Sequence, residues 1–300
     1  MRFCGSQVQT PFATAIHLFV GLFVAASYIP QLIQIATNDH TGNAGISGWY
    51  IILLTTSASS HLASRIKNIN SGFTWRCFRD GDLQGFDPFF ALVVYLQAFI
   101  HWAAAIALLA VYVSFRTRTT PGNEAHATIP SPSNPVILAI VLIHAAIILP
   151  PALYLLELIT QERHEDDAVL FVKNSIYGIL LRITGIFTSL TAAIPQIHLM
   201  VTRSRINNLD QGSLSLLSLG LQIIAFTALA GSQGWRMRLP PPPPDALDAA
   251  PESVTWSVEW WAIIFVFSGL GALWVTLAVS QLLVLCVALG LGAGEGRIHL

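Results

Sequence analysis

Long apolar stretches alternate with short polar ones along the chain. Seven of them reach the roughly 20 residues that a helix needs to cross a bilayer's hydrocarbon core. They run over Phe12–Ala36, Ser47–Ile66, Phe89–Phe115, Val136–Ile159, Ile176–Val201, Ser213–Gly231 and Trp260–Leu291. The sixth is short and rich in Ser and Gln, so its pattern is the weakest. The stretches between them have the composition of connectors. Asn38–Gly45 and Arg203–Gly212 are short and polar, and both contain Gly and Asn. Thr117–Pro135 is rich in Pro, Ser and Thr, and Gln161–Asp167 is an acidic cluster that reads as a solvated loop. Pro240–Pro244 is an unbroken proline run, which cannot be helical and reads as an extended polyproline spacer. A docking site for a proline-reading domain is the weaker alternative there.

Composition agrees with this pattern. Hydrophobic residues make up 54% of the chain and charged residues only 10%, against about 25% charged in an ordinary soluble domain. The predicted class is an all-α polytopic membrane protein with seven transmembrane helices. A net charge of −1 points to no nucleic-acid partner, and the composition argues against one. The three cysteines are too few and too scattered for a disulfide framework or a metal cluster. No cofactor motif is apparent. No nucleophile–base pairing, HExxH or carboxylate dyad occurs, so the chain does not read as an enzyme. Apolar sequence starting at Pro11 runs too long for a signal-peptide core.

Two of the spans carry a proline at nearly the same depth, each followed by glutamine: Ile29-Pro30-Gln31 in the first and Ile194-Pro195-Gln196 in the fifth. Proline removes one backbone hydrogen bond and frees the carbonyl one turn earlier, that of Ala26 for Pro30 and of Thr191 for Pro195. Each Pro-Gln is followed by a short polar stretch that ends in Gly and Ser: Gly45-Ile46-Ser47 in one case, Gly212-Ser213-Leu214-Ser215 in the other. An even number of crossings separates the first and fifth spans, so two copies of this unit would be parallel, related by an axis along the membrane normal. That predicts two parallel three-helix bundles joined by a linker helix, divided as 1–115, 116–172 and 173–300.

This duplicated arrangement resembles the PQ-loop repeat family of membrane proteins, which includes lysosomal and vacuolar amino-acid transporters and is similar in architecture to SWEET sugar carriers. The resemblance covers roughly Phe12–Phe115 and Ile176–Leu291. It implies a transporter for a small polar solute, most readily an amino acid, working by alternating access about hinges at Pro30, Gln31, Pro195 and Gln196. It implies a small-molecule substrate and the lipid bilayer as partners, and a vacuolar, lysosomal or other organelle membrane; the plasma membrane and a homo-oligomer stay open. Members that couple to protons often carry an acidic residue beside the Pro-Gln helices. Here Asp39 and Asp210 fall in the loops, and neither the first nor the fifth span contains Asp or Glu.

Polar residues inside spans are costly and tend to face a bundle interior or a watery cavity. Ser57, His61 and Ser64 share one helical face, flanked by Thr56 and Ser60. They read either as a substrate-facing wall or as close helix packing through small hydroxyl residues. Gln97 and His101 lie one turn apart on the third span. Arg182, Ser189 and Gln196 share a face of the fifth. Arg182 either reaches for the interface, holds a carboxylate, or pairs with Glu157. His61 and His198 are the candidates for proton coupling, since histidine titrates between about pH 5 and 8; simple hydrogen-bonded histidines are the alternative. His144 and Glu157 sit on the predicted linker span, which Pro150-Pro151 would kink, and Gly269, Ala272, Thr276 and Ser280 form a small-residue stripe suited to packing.

Orientation is ambiguous. Lys and Arg are more numerous on the N-terminal side, which by the positive-inside rule puts the N-terminus in the cytosol. The resemblance implies the opposite orientation, with Cys4 and Cys77 then together on an oxidising side where they could pair. Two rival readings remain on the same scaffold: a non-transporting receptor or trafficking factor, and a SWEET-like sugar carrier.

Overall fold

The computed structural model describes residues 11–37, 46–70, 87–116, 133–160, 168–206, 215–236 and 258–294. They form seven α-helices: α1 (Pro11–Thr37), α2 (Gly48–Asn70), α3 (Asp87–Arg116), α4 (Asn134–Thr160), α5 (Ala168–Ile206), α6 (Leu216–Arg236) and α7 (Val258–Gly294). Cys4, Cys77, Asp39, Asp210, the acidic cluster and the proline run lie outside the described residues, as do the surroundings of Glu157 and Gly269. Proline within the first two positions of α1, α3 and α4 is compatible with helix starts, because the N–H it lacks has no helical partner there. Pro150 and Pro151 lie inside α4, and the helix continues through them.

Five helices, α1, α3, α4, α5 and α7, contain segments long and apolar enough to cross a membrane, and they suggest an integral membrane protein. The predicted spans at α2 and α6 do not meet that standard: α6 has a shorter apolar segment, Leu216–Ser232, and α2 is diluted by Ser, Thr, His, Arg and Lys. The reason for α2 lies in its packing. It runs against α3, α4 and α5, and from Ile51 to Lys67 nearly every residue is buried. A helix shielded on all sides has no need of an apolar outer face.

The helices are apolar outside, and their polar side chains turn inward among an apolar core. On α1, Phe12, Ile16, Phe19, Leu22, Ile29 and Ile33 are exposed, while Thr14, His17, Ser27, Tyr28 and Gln31 are buried. On α5, Ile176, Leu180, Ile183, Phe187, Leu190 and Ile194 are exposed, opposite buried Ser189 and Gln196. In water this would be reversed. In hydrocarbon it is what the cost of unsatisfied polar groups demands.

Packing relates the two Pro-Gln units. α3 packs against both α1 and α2, and α7 packs against both α5 and α6. Between the units, α2 meets α5 and α1 meets α6. Close approach depends on glycine at two points. A Cβ on Gly21 would lie 3.2 Å from Gln97 Cγ, so the glycine lets α3 sit tightly on α1. A Cβ on Gly185 would lie 3.1 Å from Leu273 Cδ1, 3.5 Å from Ser60 Cβ and 3.6 Å from the Ser57 carbonyl oxygen. α2, α5 and α7 therefore converge at Gly185.

Candidate functional site: crossed Pro-Gln braces and a buried aromatic–histidine centre

Ser47 and Ser215 directly precede α2 and α6. Their carbonyls accept the first backbone bonds of those helices, from Ile51 at 3.3 Å and Leu219 at 3.1 Å. The Ser215 hydroxyl also accepts from the backbone N–H of Ser218 at 3.1 Å, as an N-capping serine does. The backbone N–H groups of the two capping residues have no helical partner of their own, and each bonds to the glutamine of the other unit. Ser47 N donates to Gln196 Oε1 at 2.8 Å, and Ser215 N donates to Gln31 Oε1 at 2.9 Å. Both glutamines are buried. The two Pro-Gln motifs thus brace each other's unit, reciprocally. A third link, from the Ser218 hydroxyl to the Ser27 carbonyl at 2.6 Å, reinforces the α1–α6 side.

The carbonyls freed by the prolines belong to residues outside these two bonds. Ala26 is exposed, on the apolar stripe between Leu22 and Ile29, and Thr191 is half-buried with its hydroxyl donating to Phe187 O. The glutamine oxygens instead reach donors on another helix, because those donors would otherwise be buried without partners.

Toward the middle of the bundle, rings from five helices meet. Trp274 of α7 lies edge-on to His61 of α2, centroids 4.5 Å apart, and to His101 of α3 at 5.1 Å. The two histidines are 6.4 Å apart. Phe226 of α6 contacts His101 at 5.4 Å and stacks with Trp274 at 5.8 Å, and Tyr28 of α1 is 6.2 Å from His101. All five side chains are buried. Tyr28 Oη, Ser60 Oγ, His61 Nδ1, both ring nitrogens of His101 and Trp274 Nε1 have no hydrogen-bond partner. A buried polar group left in that state costs about 1–3 kcal/mol, so their concentration on one cluster of side chains makes it the candidate site.

One protonation state here follows from geometry. Arg65 Nε donates to His61 Nε2 at 3.1 Å. Arginine can only donate, so His61 Nε2 is the acceptor and the ring proton is on Nδ1.

The structure brings some of the sequence candidates to this centre and uses others to tie helices together. His61 and His101 are in it, and Ser60 faces Gly185 of α5. Ser57 donates to the carbonyl of Gly185 at 2.9 Å, and Ser64 accepts from Arg182 Nε at 3.3 Å, both linking α2 to α5. Gln97 donates to the His17 carbonyl at 2.7 Å, linking α3 to α1. Ser189 donates to Thr276 Oγ1 at 2.8 Å, linking α5 to α7. His144 pairs with Thr56 at 3.0 Å, joining α4 to α2. His198 lies away from the centre, exposed one turn beyond Ile194.

Sequence reasoning missed Tyr28, Phe226 and Trp274. The only signal was weak: Tyr28 stands two residues before Pro30, and Trp274 lies within the seventh apolar span. Among the described residues, no group of three His, Cys, Asp or Glu side chains is arranged to hold a metal ion. Searches against family models, curated proteins and solved structures found no match for this chain.

Proposed function

We propose that this protein is a PQ-loop-type membrane transporter of seven spans, built as two parallel three-helix bundles with α4 as linker, that moves a small polar solute by alternating access. An amino acid is the favoured solute, and an organelle membrane of the vacuolar or lysosomal kind the favoured location. The observation that carries this reading is the reciprocal pair of bonds, Gln31 to Ser215 and Gln196 to Ser47. A duplicated motif whose two copies hold one another across the molecule is what a pseudo-symmetric carrier needs at the end that must open and close. The order of packing supports the same reading, since α1–α3–α2 and α5–α7–α6 correspond element for element. The buried centre at the meeting of the two bundles supports a solute site there. The apolar exterior and shielded α2 allow α2 and α6 to count as spans despite their polarity.

In this mechanism the prolines are pliant points, and the crossed braces close the Pro-Gln end. Releasing them lets α1 and α5 pivot and exposes the centre on that side. Uptake into proteoliposomes tests it, with labelled amino acids and sugars, with and without an inward proton gradient, for wild type and Pro195→Leu. Saturable uptake of one solute class, lost in a variant that still folds, is the expected result. Well-folded protein that takes up nothing would overturn the transporter reading in favour of a receptor on this scaffold.

A further inference from the structure

We infer that α4 is a strap. It holds the α2–α5 seam fixed through one anchor on each helix, so that movement between the two units falls to the α1–α6 seam and to the stretch of α5 beyond Pro195. The strap itself stands on its own geometry; which parts move rests on the carrier reading and adds to it the seam that opens.

The first anchor follows from proline chemistry. Pro151 lies inside α4 and has no N–H, so the carbonyl four residues back, that of Ile147, loses its helical donor. In hydrocarbon such a carbonyl needs another donor, and a neighbouring helix can supply one. Tyr177 of α5 does so: its hydroxyl donates to the Ile147 carbonyl at 3.2 Å. The proline creates an acceptor on α4, and the tyrosine of another helix occupies it. The second anchor lies within one turn of the first, where His144 meets Thr56 of α2 at 3.0 Å. The Thr56 hydroxyl also reaches the Ile52 carbonyl at 2.9 Å. A hydroxyl has one hydrogen and a carbonyl can only accept. Both bonds are therefore made when Thr56 donates to Ile52 and His144 Nε2–H donates to Thr56.

The two anchors close a triangle. α4 packs on α2, and α2 packs on α5. α2 and α5 are also tied directly, by Ser57 to the Gly185 carbonyl at 2.9 Å and by Arg182 to Ser64 at 3.3 Å. Each of the three helices is thus bonded to the other two. On α5 these ties fall between Tyr177 and Gly185, all before Pro195. The bond from Ser47 to Gln196 falls just beyond that proline, and helices bend most readily at proline. On the α1–α6 seam, the bonds from Ser218 to Ser27 and from Ser215 to Gln31 lie at the Pro-Gln end. Breaking that end frees the α1–α6 seam and the last part of α5, while the triangle keeps the rest of α5 on α2.

Distances between spin labels test this in full-length protein in lipid nanodiscs, with Cys4, Cys77 and Cys286 replaced by serine. One pair of labels goes on Leu142→Cys of α4 and Leu180→Cys of α5, the other on Ile33→Cys of α1 and Ile224→Cys of α6; all four positions are exposed. The α4–α5 pair is expected to give a single narrow distance. Gln31→Leu together with Gln196→Leu should broaden the α1–α6 distribution and leave the α4–α5 distribution as it was. Tyr177→Phe, which keeps the ring and deletes the donor, should broaden the α4–α5 distribution. Tyr177→Phe should also lower the thermal unfolding midpoint, and by less in a Pro151→Ala chain, where a restored N–H serves the Ile147 carbonyl. Several α4–α5 distances in the wild type, broadening of that pair by the glutamine variants, an α1–α6 pair that those variants leave unchanged, or equal midpoint losses with and without Pro151 would each overturn the inference. Where Tyr177→Phe does not fold, the wild-type and glutamine-variant distances decide. None of these readouts depends on uptake: a chain that transports nothing can still carry the strap, and a working carrier whose α4–α5 pair moves lacks it.

Discussion

Gln31 of α1 and Ser215 at the head of α6 are joined by a 2.9 Å bond in which a side-chain oxygen occupies a backbone N–H that no helix can satisfy. Gln196 and Ser47 repeat it at 2.8 Å. Leucine at either glutamine leaves a buried N–H without a partner, which costs about 1–3 kcal/mol. Gln31→Leu and Gln196→Leu are therefore expected to lower the thermal unfolding midpoint of the purified protein. Gln→Glu at the same positions keeps an acceptor beside a helix N-terminus, where negative charge is favoured, and should lose less. Leucine variants as stable as wild type would remove the braces from the mechanism.

Gly185 and Gly220 offer a matched contrast. A side chain at Gly185 meets Leu273, Ser60 and the Ser57 carbonyl, whereas a Cβ at Gly220 meets nothing within 4 Å. Gly185→Val should destabilise by about 1–3 kcal/mol through overpacking. Gly220→Ala should stabilise by up to about 1 kcal/mol, because alanine is the better helix former. Thermal unfolding of both variants in the same detergent checks the sign as well as the size.

Tyr50 donates its hydroxyl hydrogen to Gln281 Oε1 at 2.7 Å, tying α2 to α7 in the interior. Tyr50→Phe keeps the ring and strands the amide oxygen. A loss of about 1–3 kcal/mol is expected, and replacing Gln281 by leucine in the same chain should recover part of it, since removing both partners of a buried bond is cheaper than removing one. A double-mutant cycle in unfolding free energy measures this; full additivity would mean that the bond contributes nothing.

Arg65 sets the tautomer of His61 by donating to Nε2. Nitrogen-15 spectra of ring-labelled protein should place the His61 proton on Nδ1 in the wild type. Arg65→Leu removes that donor, so the Nε2-protonated form should gain population. An unchanged spectrum in the variant would show that another group controls the ring.

Cys286 is a free cysteine exposed on the surface of α7, within the apolar segment Gly271–Leu291. If that surface faces lipid, a charged, membrane-impermeant maleimide should not label Cys286 in intact vesicles when Cys4 and Cys77 are replaced by serine, and should label it once the protein is unfolded in detergent. Rapid labelling in vesicles would contradict a lipid-facing α7.

The apolar stretches alone determined that the chain is helical and where each helix falls, within a few residues in most cases. The physics behind that is local: length and hydropathy follow from the residues in one segment. The duplication of Pro-Gln, with its Gly and Ser partners, was equally open to reading, because the repeat is a property of the string. Burial of Ser57, Ser60, His61, Ser64, Gln97 and His101 followed from the cost of polar groups in an apolar setting.

Only the tertiary structure decided what those polar groups do. Nothing local distinguishes Ser57, which bonds the Gly185 carbonyl, from Ser60, which bonds nothing, although they stand three residues apart. Gln31 and Gln196 find partners on the other unit, at a sequence distance no periodicity can express. Tyr28, Phe226 and Trp274 read as ordinary apolar positions until five helices bring them to His61 and His101. The difference has one physical cause. A helix forms from bonds within four residues of sequence, whereas a site forms where several helices place side chains in the same small volume, and that depends on packing between segments far apart in the chain.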